Sequence, residues 1–416
     1  MAENKDKKVL NVPALRFPEF TEEWKRIKVS DLLDFYSTNS LSWEQLEYEP
    51  NEPYNLHYGL IHVGLSTLID LTKDKLPSIK DGNVPKKYEL CKEGDIAFAD
   101  ASEDTNEVAK VVEFYNLGDK KVVCGLHTIH GRNNNGQTAK GFLGYCFSST
   151  IFHNQIRRIA QGTKIYSIST KNFSEIFVGL PSRSEQQKIA TLLRLIDERI
   201  ATQNKIIEDL KKLKSAIVDM LLCNQNSEML KLGDIGYFVR GLTYANEDVT
   251  ENKAATAVIR ANNLNYGNHV DKGEVVYVSR TPATSQILRK GDIVICMANG
   301  SSALVGKNSY YPFNDGQSTV GAFCGIYRTS HPLAKWLMQS QRYKRLVYQS
   351  LQGGNGAIAN LNGDDILNMS FPVMEKEKSK SIIFILEAIE KSLAVNKDLQ
   401  RSYSTQKSHL LKQMFI

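Results

Sequence analysis

The stretch Ser184–Leu222, SEQQKIATLLRLIDERIATQNKIIEDLKKLKSAIVDMLL, runs without a Gly or a Pro. Set out as heptads, it places Ile189, Ile196, Gln203, Leu210 and Ile217 at a, and Leu192, Arg199, Ile206, Leu213 and Met220 at d. Leu193, Ile200, Ile207 and Leu221 thicken the stripe at e. An apolar seam with a period of about 3.5 residues predicts a coiled-coil helix. From Lys376 to Ile416 the pattern returns, with Ile382, Ile389, Asn396, Tyr403 and Leu410 at a, and Ile385 and Leu399 at d. Each of these a residues stands 193 positions beyond one of the first set, and the polar pair Gln203 and Asn396 correspond as well. A single amphipathic helix is most simply a core helix. Two in matching register, each closing half of the chain, predict helices that pair with each other.

The halves leading to these helices repeat too. FPEFTEEWKRIKVSDLL opens the first, and strands with turns follow: YNLHYGLIHVG, YELCKEGDIAFADA, KVVEFYN and KKVVCGLHTIHGR. A helical piece, GFLGYCFSSTIFHNQIRRIAQG, precedes Pro181, which opens the long helix where Pro is best tolerated. In the second half EMLKLGDIGYFVRGL matches EEWKRIKVSDLLDFY, and Gly94, Asp95 and Ile96 match Gly291, Asp292 and Ile293. Lys110 matches Lys307, Arg132 matches Arg328, and LAKWLMQSQRYKRLVYQSLQG repeats the helical piece.

The expected organisation is therefore α+β: two mixed globular domains joined by a long antiparallel two-helix coiled coil with pseudo-two-fold symmetry. The boundaries are a disordered arm at 1–16, a domain at 17–180, a helix at 181–224, a second domain at 225–372 and a second helix at 373–416. A helix of 39 residues spans roughly 58 Å at 1.5 Å per residue. To bury its seam on the first helix the second must run back, so HLLKQMFI should return to the first domain. Gln203 and Asn396 should then meet mid-rod as a polar layer that fixes register.

Composition bounds the function. The chain has 416 residues, 24% charged and 42% hydrophobic, with a net charge of +6. That balance suits a soluble globular protein and permits local basic patches without demanding them. No run of eighteen apolar residues occurs, so no membrane span is expected, and MAENKDKKVLNVPALRF lacks the apolar core of a signal peptide, which predicts a cytoplasmic protein. Cys91, Cys124, Cys146, Cys223, Cys296 and Cys324 are scattered with no CxxC or His pairing, the pattern of free buried thiols, and no metal site is expected.

Two unlike domains held apart by a rod suit the reading of two separated things, and DNA is the natural ruler. The run LPSRSEQQKIATLLRLIDERI, the pattern LRKGDIVICMANGSSALVGK and the domain–helix–domain–helix order resemble the specificity subunit of type I restriction–modification systems. LPxxxEQxxIAxxL opening a spacer helix carries that resemblance; FPVMEKEKSKSIIFIL, its second copy, lacks the EQ pair. The resemblance implies a non-catalytic subunit whose two target recognition domains read a bipartite, asymmetric site in double-stranded DNA. It also implies docking of two methyltransferase subunits and of motor–nuclease subunits. S-adenosylmethionine, ATP and Mg²⁺ would belong to those partners, with no cofactor in this chain.

Base edges are read by Arg, Lys, Asn, Gln, Ser and acidic side chains, while Lys and Arg hold phosphates. The first domain offers His57 and Tyr58 in NLHYGLIH, Ser102, Glu103 and Asp104 in ADASEDTNEVAK, Arg132 in CGLHTIHGR, and Lys164 after Gly162. The second offers Arg260, Asn262 and Asn263 in VIRANNLNYG, Asn299, Ser301 and Lys307 in ANGSSALVGK, Gln317 and Ser318 in NDGQSTVG, and Asn355 in QGGNGAIAN. For each, a solvated loop is the plain alternative. Arg and Lys in IRRIAQGTK and SQRYKRLVYQS make basic helical faces at matching positions, suited to phosphates.

Other chemistry finds little support. GSSALVGKN has the wrong glycine spacing for a P-loop, and Asn308 stands where a Ser or Thr should hold Mg²⁺. Two rival classes remain: an enzyme with Asp95, Glu103 and Asp292 holding Mg²⁺, and a coiled-coil scaffold that binds only proteins.

Overall fold

The computed structural model describes residues 11–221, 228–352 and 359–416. The chain divides into two compact units, residues 1–204 with 398–416 and residues 205–397. Each unit holds a globular body and one half of each long helix.

In the first unit, strand Lys25–Lys28 pairs antiparallel with Phe177–Leu180 at the root of the helix. A five-stranded sheet has the order Asp34–Tyr36, Thr128–Arg132, Ile96–Ala99, Val111–Asn116, Leu68–Asp70, and a four-stranded sheet the order Val122–Cys124, Tyr54–Leu56, Ser78–Ile79, Leu46–Glu47. Phe98 at the sheet centre packs edge-on to Phe147 and Phe173, and Phe147 to Phe152, an aromatic core buried against the helices that follow. One expected strand divides. YNLHYGLIHVG is a strand only at Tyr54–Leu56 and becomes a short helix at Tyr58–His62, because the His57 ring accepts the Gly59 N–H and caps it.

The second unit repeats the plan. Glu228–Lys231 pairs with Ser370–Val373, and Gly236–Arg240, Cys324–Thr329, Ile293–Cys296 and Asn308–Tyr310 form one sheet. Val249–Thr250, Val276–Val278, Thr256–Ile259 and Ser318–Val320 form the other. Trp336, Tyr343, Tyr327 and Phe371 fill its core.

The long helices run Arg183–Met220 and Lys376–Gln413. In the first unit Asp197 takes an ion pair from Lys407 at 2.6 Å, and Ile189 and Leu193 share a core with Leu410 and Met414. In the second unit Ile207 clusters with Ile389 and Leu393, Glu390 accepts from Lys214 at 2.9 Å, and Val218 and Leu221 lie with Leu386. Within each unit, partners descend along one helix as they ascend the other: the pairing is antiparallel. HLLKQMFI packs into the first unit, with Met414 and Phe415 buried and Phe415 against Trp24 and Phe142.

The seam itself is shifted from the expected frame. On the first helix Ile189, Ile196 and Gln203, set at a, and Leu193, Ile207 and Leu221, set at e, are covered, with Ile200 half-buried. On the second Ile389 and Leu410, set at a, are covered, and so are Leu386 and Leu393, which fall four residues after a positions. Leu210, Ile217, Ile382, Asn396 and Tyr403 are half-buried on the same stripe. Of the apolar residues set at d, Ile206, Leu213, Met220, Ile385 and Leu399 are instead exposed, while Leu192 is half-buried against the first unit's core. The a-to-e step of four residues followed by three has the same heptad period as a-to-d, so one seam was legible and its flank was misplaced.

The EQ pair of the helix opening does structural work in the first unit. Arg16 donates two hydrogen bonds of 2.7 Å to the buried Glu185 carboxylate. Gln186 accepts from the Ala139 N–H at 2.7 Å and donates to the Pro181 and Gln137 carbonyls. Residues 11–16, expected in a disordered arm, are thus held down, with Asn11 also donating to the Trp24 carbonyl; residues 1–10 lie outside the described residues. At the second helix the corresponding Ser379 bonds the Met374 carbonyl instead.

Candidate nucleic-acid interface

The two units build the same three-part tip. A strand carries the chain to a capping residue, His57 in the first unit and Arg260 in the second, which opens a short helical turn. A two-residue strand beyond the central one, Ala101–Ser102 or Ala298–Asn299, pairs with Tyr166–Ser167 or Ala359–Asn360. Beside it a tight turn brings His127 or Phe323, whose carbonyl accepts the N–H of Asp100 or Met297 respectively. The backbone hydrogen bonds coincide, while the side chains differ at all three places.

In the first unit the tip gathers aromatic rings and imidazoles. His57 lies against Trp43 and Tyr58, and Tyr58 meets His62 and His127 edge-on at 5.9 and 5.2 Å. His62 reaches the Ala101 carbonyl at 3.0 Å, and His127, at φ 54°, reaches Asp100 Oδ1 at 3.1 Å. Glu103 and Asp104 are exposed, Ser102 and Tyr58 half-exposed, and Lys164 is exposed beside the strand pair. His57 itself is buried, and burial, then the charge of His127, holds its pKa below the usual value; it caps the helical turn and packs between Trp43 and Tyr58.

In the second unit Tyr244, Arg260, Asn262, Asn299, Gly300 and Phe323 line an open cavity of about 580 Å³. Arg260 and Asn262 are exposed, Asn299 is half-exposed, and Phe323 stands 70% exposed. Ser301 is exposed next to this cavity, bonded through its N–H to Asn299, and Lys307 is half-exposed. An exposed Phe at the rim of this pocket, beside Arg260 and Asn262, offers a face for a base or a thymine methyl. Sequence reasoning missed Phe323, which sits in an apolar run, GAFCGIY; only its repeat partner His127 marks it.

Several expected contacts have other duties. Arg132 is buried, with Nε and Nη2 on Asp95 and Nη1 on Glu89, so it does not face DNA. Arg328 holds Asp292 in the same way, with Nη2 also donating to the Ile287 carbonyl, so Asp95 and Asp292 are both committed to buried arginines. Asn263 is buried, accepting from the Arg260 N–H and donating to the Glu274 carbonyl. Ser318 is buried on Asp315, and Gln317 donates to the Lys253 and Ala255 carbonyls. Both stand at the start of a strand whose other end reaches the cavity. Asn355 lies outside the described residues. The basic helical faces are exposed at Arg157, Arg158, Lys344 and Arg345.

One juxtaposition was invisible in the sequence. Two strands and the segment before Lys92 bring Cys91, Cys124 and His130 together in the first unit, all buried, with the two sulfurs 3.6 Å apart.

One body recurs twice, each copy rooted on half of a helical pair and presenting its own set of side chains on a shared tip. Residues 113–212 match the family model described as the type I restriction modification DNA specificity domain, so the resemblance carried by the helix opening holds. The chain is similar to the type I restriction enzyme EcoKI specificity subunit of Escherichia coli (strain K12) and the StySPI specificity subunit of Salmonella potsdam, each 29% identical over 150 residues. Those matches span 34% of this chain and 31% of either relative. In fold it is similar to the type I restriction–modification S subunit from M. genitalium, with a TM-score of 0.58 at 17% identity over 97% of this chain and 99% of that one. A chain from a structure concerned with complex assembly and conformational transition of the type I R-M system aligns over 93% of this chain and 96% of its own length, with a TM-score of 0.54 at 14% identity. No described helix is long and apolar enough to cross a membrane.

Proposed function

We propose that this chain is a non-catalytic, cytoplasmic DNA-specificity subunit of a type I restriction–modification complex, each unit reading one half of a bipartite, asymmetric site. The observation that carries the reading is the repeated tip: one backbone frame used twice, with His57, Ser102 and His127 in one copy replaced by Arg260, Asn299 and Phe323 in the other. A shared frame with unlike side chains suits two readers docked in the same way on unlike base pairs. Tyr58, Ser102, Glu103 and Asp104 would serve in the first unit, and Arg260, Asn262, Asn299 and Ser301 in the second, with Lys164 and Lys307 on phosphates. Arg suits guanine and Asn suits adenine.

The exposed apolar row on the helices supports docking of two methyltransferase subunits, to which motor–nuclease subunits would add. Ile206, Leu213, Met220, Phe384, Ile385 and Val395 all stand uncovered in the second unit. S-adenosylmethionine, ATP and Mg²⁺ would act in those partners. Against a stand-alone nuclease, Asp95 and Asp292 are committed to buried arginines. Replacing residues 17–180 with those of a relative should transfer one half-motif and leave the other; a change in both halves, or in neither, would refute independent readers.

A further inference from the structure

Cys91, Cys124 and His130 meet because three segments of the first unit run side by side. Cys91 donates its N–H to the Val122 carbonyl, Cys124 ends the strand Val122–Cys124, and His130 lies on Thr128–Arg132. A ring nitrogen of His130 and both sulfurs lie within 4.8 Å of one another. The imidazole is fully buried. Its Nε2 is 2.7 Å from Asp95 Oδ2, and its Nδ1, equally enclosed, has no hydrogen-bond partner. A buried polar atom left unpaired costs about 1–3 kcal/mol.

The second unit shows that the frame does not demand this chemistry. Leu288 donates to the Ser318 carbonyl as Cys91 does to Val122, and Ile326 pairs with Val294 as His130 pairs with Ala97. Val320 ends its strand as Cys124 does. The same three places therefore hold Leu288, Val320 and Ile326, packed in one apolar cluster, while the Asp–Arg pair is kept. The first unit has exchanged that apolar corner for two thiols and an imidazole.

We propose that Cys91, Cys124 and His130 bind a thiophilic divalent cation of the zinc class, with Asp95 orienting the imidazole from outside. Two thiolates each about 2.3 Å from a tetrahedral ion stand about 3.8 Å apart, and the sulfurs here are 3.6 Å apart. A carboxylate on the far ring nitrogen of a ligating His is the usual outer support, and it leaves Nδ1 as the donor. Binding releases the two thiol protons to solvent. The ion and Arg132 then balance the two thiolates and Asp95. A cavity of about 230 Å³ lined by Cys124, Asn39, Tyr88 and Glu89 adjoins the cluster, and a water from it would complete the coordination. The ion ties the 85–91 segment to two strands, a structural role that is independent of the proposed function.

The test measures metal in the untagged full-length chain by inductively coupled plasma mass spectrometry. About one zinc per chain is expected, falling at least about tenfold in Cys124→Ser and His130→Ala and unchanged in Cys146→Ala. Cobalt exchange should give a thiolate charge-transfer band. The triple variant Cys91→Leu, Cys124→Val, His130→Ile, which copies the second unit, should fold without metal, and chelator should lower the Tm of the parent only. Equal metal content in the parent and the triple variant would overturn the proposal. So would a parent chain isolated without reductant that is lighter by the two hydrogens of a Cys91–Cys124 disulfide.

Discussion

The guanidinium of Arg132 meets the carboxylate of Asp95 two-on-two, Nε to Oδ1 and Nη2 to Oδ2, each at 2.8 Å. Arg328 and Asp292 repeat the geometry in the second unit at 2.8 and 2.7 Å. Each pair pins the turn before a central strand to the strand next to it, at the base of a tip. Removing one partner strands a buried charge, which costs about 3–5 kcal/mol. Arg328→Met should therefore lower the unfolding free energy of the second unit by that order in urea titration, and Asp292→Asn combined with Arg328→Met should recover part of it. A loss below about 1 kcal/mol would mean the pair is solvated.

Glu113 is fully buried, accepting from the N–H groups of Gly141 and Gly144. Burial pushes its carboxyl up from 4.5 to about 7 against those two donors. The folded chain thus holds this proton more tightly than the unfolded chain does. The resulting stabilisation is complete below 4.5 and is lost as pH rises through about 7. Stability should fall across that window by at most about 1.4 kcal/mol per pH unit from this group, and Glu113→Gln should remove the slope. An identical slope in both proteins would contradict the assignment.

The last residues of the chain fasten the second helix to the first unit, and Phe415 is the anchor, T-shaped to Trp24 at 6.4 Å. Truncating a buried Phe to Ala costs about 3–5 kcal/mol. Phe415→Ala should lower the melting of the first unit, and hydrogen exchange should quicken at Leu410 and Ile189, which share its core.

The tip residues of the second unit carry a separate prediction. Arg260→Ala or Asn262→Ala should weaken the cognate duplex by about 1–3 kcal/mol and relax one half-motif only. Phe323→Ala should act on that same half, and Lys307→Ala should weaken all sequences alike and reduce the salt dependence. Loss of both half-motifs from Arg260→Ala would indicate a folding defect instead.

Periodicity made the architecture legible. Ile189 and its echoes at 193-residue spacing announced two antiparallel helices, because a heptad seam must be covered by something of equal length. The exposed flank at Ile206 and Leu213 was not legible, since a seam widened by three apolar rows does not say which row stays open. The tips were half legible. Arg260, Asn262 and Asn299 are polar residues in loops and stand exposed or half-exposed around the cavity. Arg132, Asn263 and Ser318 are the same residue types turned inward, and only the pairing of strands decides which way they face. The meeting of Cys91, Cys124 and His130 depends on β-register, which no local spacing encodes.

The most direct test is a selection from random duplexes by the full chain, alone and with the methyltransferase subunit proposed as its partner, repeated after inserting one heptad at corresponding places in both long helices. The account predicts a single split motif with two unlike halves, and after insertion the same halves across a longer unread gap. A continuous motif, the absence of any motif, or a gap unchanged by the insertion would contradict it.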